Sequence, residues 1–179
     1  MAITELTIAG IGGQGSIMAG VILGAAAVTY DKKYATQTQA YSSELRGGFA
    51  ATWLIISDEP VVYPRVAHPD VLAAQAQDSI TRYAKALKPD GTLIIDSDMI
   101  QEIPAGLKRV YRVPATSIAR NEIKLAITAN MAMLGALCKV TGVVSRQALE
   151  KAIVDSVPKG KDQINLKAFA LGFNGVKAD

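Results

Sequence analysis

The sequence predicts a layered α/β domain with a mixed β-sheet flanked by helices and a helical C-terminal third. Three features carry that reading. Short apolar runs alternate with helical periodicity through about residue 113, a glycine-rich turn joins the first run to a helix, and from Ser117 onward apolar residues recur at helical spacing. With 179 residues, half of them hydrophobic, the chain has material for one sizeable core, and residues 1–179 read as one domain.

Each element has its own reason. Leu6 and Ile8 lie in a short apolar run that ends at glycine, the pattern of a buried strand feeding a tight turn. A helix follows from about Gly15 to Thr29, rich in small residues that let it press closely on a sheet. Tyr34 to Gln39 alternates as a second strand, and Phe49 to Ile56 does so more clearly, with Phe49, Ala51, Trp53 and Ile55 on one face. "SDEP" turns the chain, and "VVY" before Pro64 reads as the returning arm of a hairpin, which makes the sheet mixed. Asp70 to Ala74 is a strand, Ser79 to Leu87 a helix ended by "KPDG", and "TLIID" and Arg109 to Val113 are two further strands. Beyond Ser117, the spacing from Leu125 to Cys138 predicts a helix, Ser145 caps another, and Asn165 to Phe173 forms the last.

Composition narrows the function. Nineteen basic against sixteen acidic residues leave a charge of +3, and no Lys/Arg run points to nucleic acid. Cys138 is the only cysteine, so the chain forms no internal disulfide and cannot alone ligate an iron–sulfur cluster; a reducing, cytoplasmic setting fits. The apolar stretch from Ile17 to Val28 is too short for a membrane span, and no basic region precedes the first apolar run as a secretory signal requires.

The chemistry concentrates in "GIGGQGS", with Gly10, Gly12 and Gly15 in Gly-x-Gly-x-x-Gly spacing and Gly13, Gln14 and Ser16 among them. Glycine lets the backbone take positive φ and approach a ligand, and the start of the following helix offers unpaired N–H groups to an anion. The pattern alone leaves three readings open: a phosphate site, the dinucleotide site of a free-standing NAD(P)-dependent dehydrogenase, or a tight turn in a scaffold without ligand. A dehydrogenase needs a carboxylate after the second strand. Asp31 has the spacing but precedes that strand, which ends in "TQTQA".

The wider sequence resembles the gamma subunit of the 2-oxoacid:ferredoxin oxidoreductases. "GIGGQG" matches that family's turn, "SSELRGG" its Glu-x-Arg-Gly-Gly segment, "YPRVAHPDVL" its Pro-Asp strand entry, and "NMAMLGAL" and "NLKAFALG" its two late helices. The likeness spans nearly the whole chain, and "RGG" and "YPRV" lean toward the 2-oxoglutarate enzymes over the pyruvate ones. The resemblance implies membership of a heteromultimer that oxidatively decarboxylates a 2-oxo acid on thiamine diphosphate. Electrons pass through iron–sulfur clusters to ferredoxin, and the acyl group goes to coenzyme A. Thiamine diphosphate and the clusters would lie on partner subunits. This chain would be non-catalytic and contribute assembly and coenzyme A binding through Gly10, Gly12, Gly13, Gln14, Gly15, Ser16 and Arg46.

Other residues read as structural. Arg46 offers a planar fork to a phosphate or to a partner's carboxylate. His68 has no second histidine or cysteine nearby in sequence, so no metal site is expected, and no nucleophile–histidine–acid set emerges. Lys159 and Lys161 read as a solvated loop, and Met131, Met133 and Cys138 as core.

Overall fold

Strand β1, Ile3–Ile11, is the axis of the sheet in the computed structural model, which describes residues 3–43 and 47–179. Its alternation sends Leu6 and Ile8 to one face and Ala9 to the other, so the strand feeds two cores. The remaining strands are β2 (Tyr34–Tyr41), β3 (Phe49–Ser57), β4 (Val71–Ala74), β5 (Thr92–Asp96), β6 (Arg109–Val113) and β7 (Lys177–Ala178). They stand in the order β2-β3-β1-β4-β5-β6-β7.

The sheet is mixed, as predicted, but its antiparallel part has a different origin. β3 runs antiparallel to β1 over nine residue pairs, from Ile3↔Ser57 to Ile11↔Phe49, and β2 runs antiparallel to the other edge of β3. Val61 to Tyr63 form no strand. Both edges of β3 are already occupied, and Pro60 and Pro64 bracket the segment without N–H groups to donate. From β1 outward on the other side, β4, β5 and β6 are parallel to β1, and the unforeseen β7 closes against β6 in the antiparallel sense.

Helix α1 (Ser16–Ala25), continued by a wider turn over Ala26–Tyr30, packs on one face together with α4 (Ala129–Thr141), α5 (Arg146–Ser156) and α6 (Asp162–Gly175). Helix α2 (Gln77–Tyr83) and the segment carrying Ile100, Ile103 and Leu107 cover the other face. A short α3 (Ala115–Ser117) starts the helical region that follows β6. The expected cap is present: Ser145 Oγ accepts the Ala148 N–H at 3.2 Å. Asp31 in turn accepts from the Ser145 N–H and hydroxyl at 2.6 and 2.7 Å, fixing α5 to the end of the α1 segment. None of the described helices is long and apolar enough to cross a membrane.

Glycine sets the closest packing. A methyl group at Gly135 of α4 would lie 2.1 Å from the Phe169 carbonyl oxygen, and one at Gly172 of α6 would lie 2.0 Å from that of Ala132. The two helices therefore meet backbone to backbone, with Phe169 fully buried beside the contact. Gly172→Ala is expected to force them apart and to lower unfolding stability by about 1–3 kcal/mol, read as a drop in the urea midpoint.

A glycine turn at the switch point of the sheet

Parallel α/β sheets bind ligands beyond the carboxyl ends of their strands, where successive helices leave for opposite faces. In this chain that point lies between β1 and β4, which are parallel neighbours. The helix after β1 packs on one face of the sheet and the helix after β4 on the other. The turn from Gly12 to Gly15 closes over this crevice.

Its shape follows from two positive φ values, +94° at Gly13 and +75° at Gly15, the latter being the N-cap of α1. A side chain at Gly10 would meet Gln14 Oε1 at 2.5 Å and Ser16 Oγ at 2.6 Å, so the strand end must be bare for those groups to fold over it.

The side chains above Gly10 make a clasp. Gln14 Oε1 accepts the Ile11 N–H at 2.8 Å, and Gln14 Nε2 donates to the Gln75 carbonyl at 3.0 Å. Gln75 answers by donating from Nε2 to the Gln14 carbonyl at 3.2 Å and accepting the Ser16 hydroxyl at 2.7 Å. Its own N–H donates to Ala9 at 2.8 Å, which holds it at the end of β4. Gly12 donates to the Gly48 carbonyl at 2.7 Å, and Asn130 Nδ2 at the head of α4 donates to the Gly15 carbonyl at 3.3 Å.

The structure thus brings Gly10, Gly12, Gly13, Gln14, Gly15 and Ser16 together and gives them unequal parts. The Gln14 amide and Ser16 hydroxyl are spent on internal bonds, and Ser16 is buried. Outward, the N–H groups of Gly13, Gly15, Ser16, Ile17 and Met18 have no acceptor among the described residues. Gly12 and Gly13 are exposed, and no acidic residue stands in the first turn of α1 to compete for those donors. Arg46 lies outside the described residues. Arg82 stands 4.8 Å over the Phe49 ring, bonded to Asp78, and Phe49 pairs with Ile11 at the end of β1.

Gln75 and Asn130 escape sequence reading because nothing local marks them; only the adjacency of β4 to β1, and of α4 to α1, gives them roles. Asp31, at dinucleotide spacing, is bound to Ser145 instead, and antiparallel β3 stands between β1 and β2. A ribose-binding carboxylate at the end of β2 would therefore be one strand too far from the turn.

Titratable groups elsewhere serve the fold. Burial pushes the Asp96 carboxyl above its ordinary range, against the pull of hydrogen bonds from Thr116 and the Asp98 N–H, and the group ties β5 to α3. Burial likewise raises the Cys138 thiol to about 11. His68 sits in an exposed loop near the Ala86 carbonyl, and no group of three or more His, Cys, Asp or Glu able to hold a metal ion occurs among the described residues.

A family model described as pyruvate ferredoxin/flavodoxin oxidoreductase matches residues 5–175. The chain belongs to that family. It is 46% identical over 175 residues to the 2-oxoglutarate synthase subunit KorC of Methanocaldococcus jannaschii, covering 97% of this chain and 94% of that one. The gamma subunit of a keto/oxoacid ferredoxin oxidoreductase from Geobacter sulfurreducens superposes with a TM-score of 0.89 at 39% identity, covering 98% of this chain and 97% of that one. A 2-oxoglutarate:ferredoxin oxidoreductase from Magnetococcus marinus, solved with 2-oxoglutarate, coenzyme A and succinyl-CoA bound, superposes with a TM-score of 0.82 at 25% identity. That match covers 96% of this chain but 30% of that one. The protein is a gamma-type chain of the 2-oxoacid:ferredoxin oxidoreductases, a subunit of an oxidoreductase complex.

Two measurements follow from this geometry. Gln75→Ala strips partners from Gln14 and Ser16 and should cost this gamma chain about 1–3 kcal/mol by denaturant titration. With its thiol near 11, Cys138 holds on the order of 0.1% thiolate at pH 8, so a thiol reagent should label it only after unfolding.

Proposed function

We propose that this gamma chain is a non-catalytic subunit that organises the complex and holds the phosphate end of coenzyme A on its glycine turn. The observation that carries the reading is the set of unclaimed N–H groups at the head of α1, placed at the switch point of the sheet. Coenzyme A brings a pyrophosphate and a 3′-phosphate, which such donors and a nearby guanidinium can satisfy. The Magnetococcus marinus relative with coenzyme A bound shares the fold and supports the reading.

The turn works through its backbone. Gln14 and Ser16 shape it from beneath, the glycines allow the ligand to approach, and Arg46 supplies a guanidinium to a phosphate or to a partner's carboxylate. Anchoring the nucleotide end restricts where the distant thiol can reach, so this chain contributes positioning to the acyl-transfer step.

The oxidative half of the reaction belongs to partner subunits, which carry thiamine diphosphate and the iron–sulfur clusters and pass electrons to ferredoxin. A single buried thiol cannot ligate a cluster. We take 2-oxoglutarate as the 2-oxo acid and succinyl-CoA as the product, formed in the cytoplasm; the name of the KorC relative and the ligands of the Magnetococcus marinus enzyme support that choice of substrate.

Gly13 is the position to test, because φ is +94° there and a methyl group would meet nothing within 4 Å, so the change reaches the ligand face rather than the core. In the assembled complex, Gly13→Ala should raise KM for coenzyme A about tenfold, roughly 1.4 kcal/mol, and leave KM for the 2-oxo acid unchanged. An unchanged KM for coenzyme A would overturn the coenzyme reading, and turnover by the isolated chain would overturn the non-catalytic one.

A further inference from the structure

Strand β2 is an unprotected edge. Among the described residues it pairs with β3 on one side only, and over eight residues, "YATQTQAY", it carries neither a charge nor a proline. Natural edges are usually blunted by such residues, because a bare row of N–H and C=O groups invites another strand. The opposite edge, β7, is two residues long and bears Lys177.

The helix beside β2 is equally bare. From Ser16 to Tyr30 there is no charged residue, and Met18, Val21 and Val28 are 40%, 43% and 48% exposed along one stripe of the helical segment. Between helix and strand runs a groove of two adjoining cavities, about 290 and 530 Å³, which share Val28, Ala35 and Thr36. It ends at Pro60 and Val61, beyond which Val62 and Tyr63 are 94% and 68% exposed.

We propose that the α1–β2 groove docks a catalytic partner subunit of the same oxidoreductase, which lays an extended segment along β2. Continuity with the glycine turn favours this occupant. Met18 belongs both to the stripe and to the first turn of α1, so the stripe runs without a break to the glycine turn, where a subunit that shares coenzyme A with this chain would meet it; this step rests on the coenzyme reading. Area argues the same way. A strand of about 27 Å beside a helix about 10 Å wide offers on the order of 400 Å². Two copies meeting there would bury roughly 800 Å² in all, short of the ~1,200 Å² of a stable dimer. A partner that also covers Val62, Tyr63 and the turn exceeds that limit. In the Magnetococcus marinus chain this fold is likewise one part of a longer polypeptide.

The test is Val21→Glu combined with Val28→Glu, two exposed positions outside the glycine turn, in the chain co-expressed with its native partner subunits. The isolated double variant should keep the wild-type circular dichroism and unfolding midpoint, while its recovery in the purified complex falls at least tenfold. The β2 amides that face away from β3 should exchange slowly in the wild-type complex and fast in the isolated chain. Full recovery of the variant in the complex, or equal exchange in both states, would overturn the proposal. So would an isolated chain that sediments as a dimer which the double variant breaks while the complex persists, since the occupant would then be a second copy. Failure of the coenzyme reading shows separately, as an unchanged KM for coenzyme A in an assembled Gly13→Ala complex.

Discussion

The reciprocal clasp between Gln14 and Gln75 is the interaction on which the rest of the turn depends. Two neutral amides, one of them fully buried, join the carboxyl ends of neighbouring parallel strands where their chains part for opposite faces. Each bond contributes only about 1 kcal/mol net, but a buried amide left without partners costs more than that, so the members of the clasp stand or fall together. The clasp takes the Ile11 N–H and the Ser16 hydroxyl, and Gly12 and Gln14 donate to Gly48 and Ile11, which leaves the N–H groups of Gly13 and Gly15 without an acceptor among the described residues. The glutamine beneath the glycines therefore acts as a brace for the donors rather than as a donor.

The same glycine spacing that serves a dinucleotide enzyme is put to different use by topology. In a dinucleotide fold the second strand lies beside the first and delivers a carboxylate to the ribose. Here β3 inserts antiparallel between them, which sends β2 to the edge of the sheet and leaves Asp31 to tie α5 to the end of the α1 segment. One inserted strand has two consequences: it removes the ribose-binding position, and it creates an exposed, uncharged edge next to an apolar helix.

Much of this was legible in the sequence wherever the determining contacts are local. Period-two alternation located β3, glycine spacing located the turn, and Ser145 announced α5, because each signal is set by neighbours a few residues away. What was not legible depends on strand order. The hairpin signal at Val61–Tyr63 suggests an antiparallel pair there, but such a signal does not say which edges are already filled. Gln75 and Asn130 carry no pattern of their own and gain their parts from elements 61 and 115 residues away from their partners in the turn. Gln14 was visible as unusual, but the direction of its amide was not.

On the reading that this chain acts by positioning, the turn has to be held still, and the packing beneath it does that. Asn130 touches Gly15 from the head of α4, and α4 meets α6 backbone to backbone through Gly135 and Gly172. Helices in such contact leave no gap into which a side chain can relax, so a displacement of the turn would have to move two helices together. On the other side Gly20 lets α1 sit directly on β3, where a methyl group would come within 2.5 Å of Thr52. The small residues that weaken these helices as isolated segments thus give α1 a fixed height and direction over the sheet. Fixed N–H donors need no reorganisation when an anion arrives, so under the proposed coenzyme reading this rigidity is what the chain would contribute to the rate.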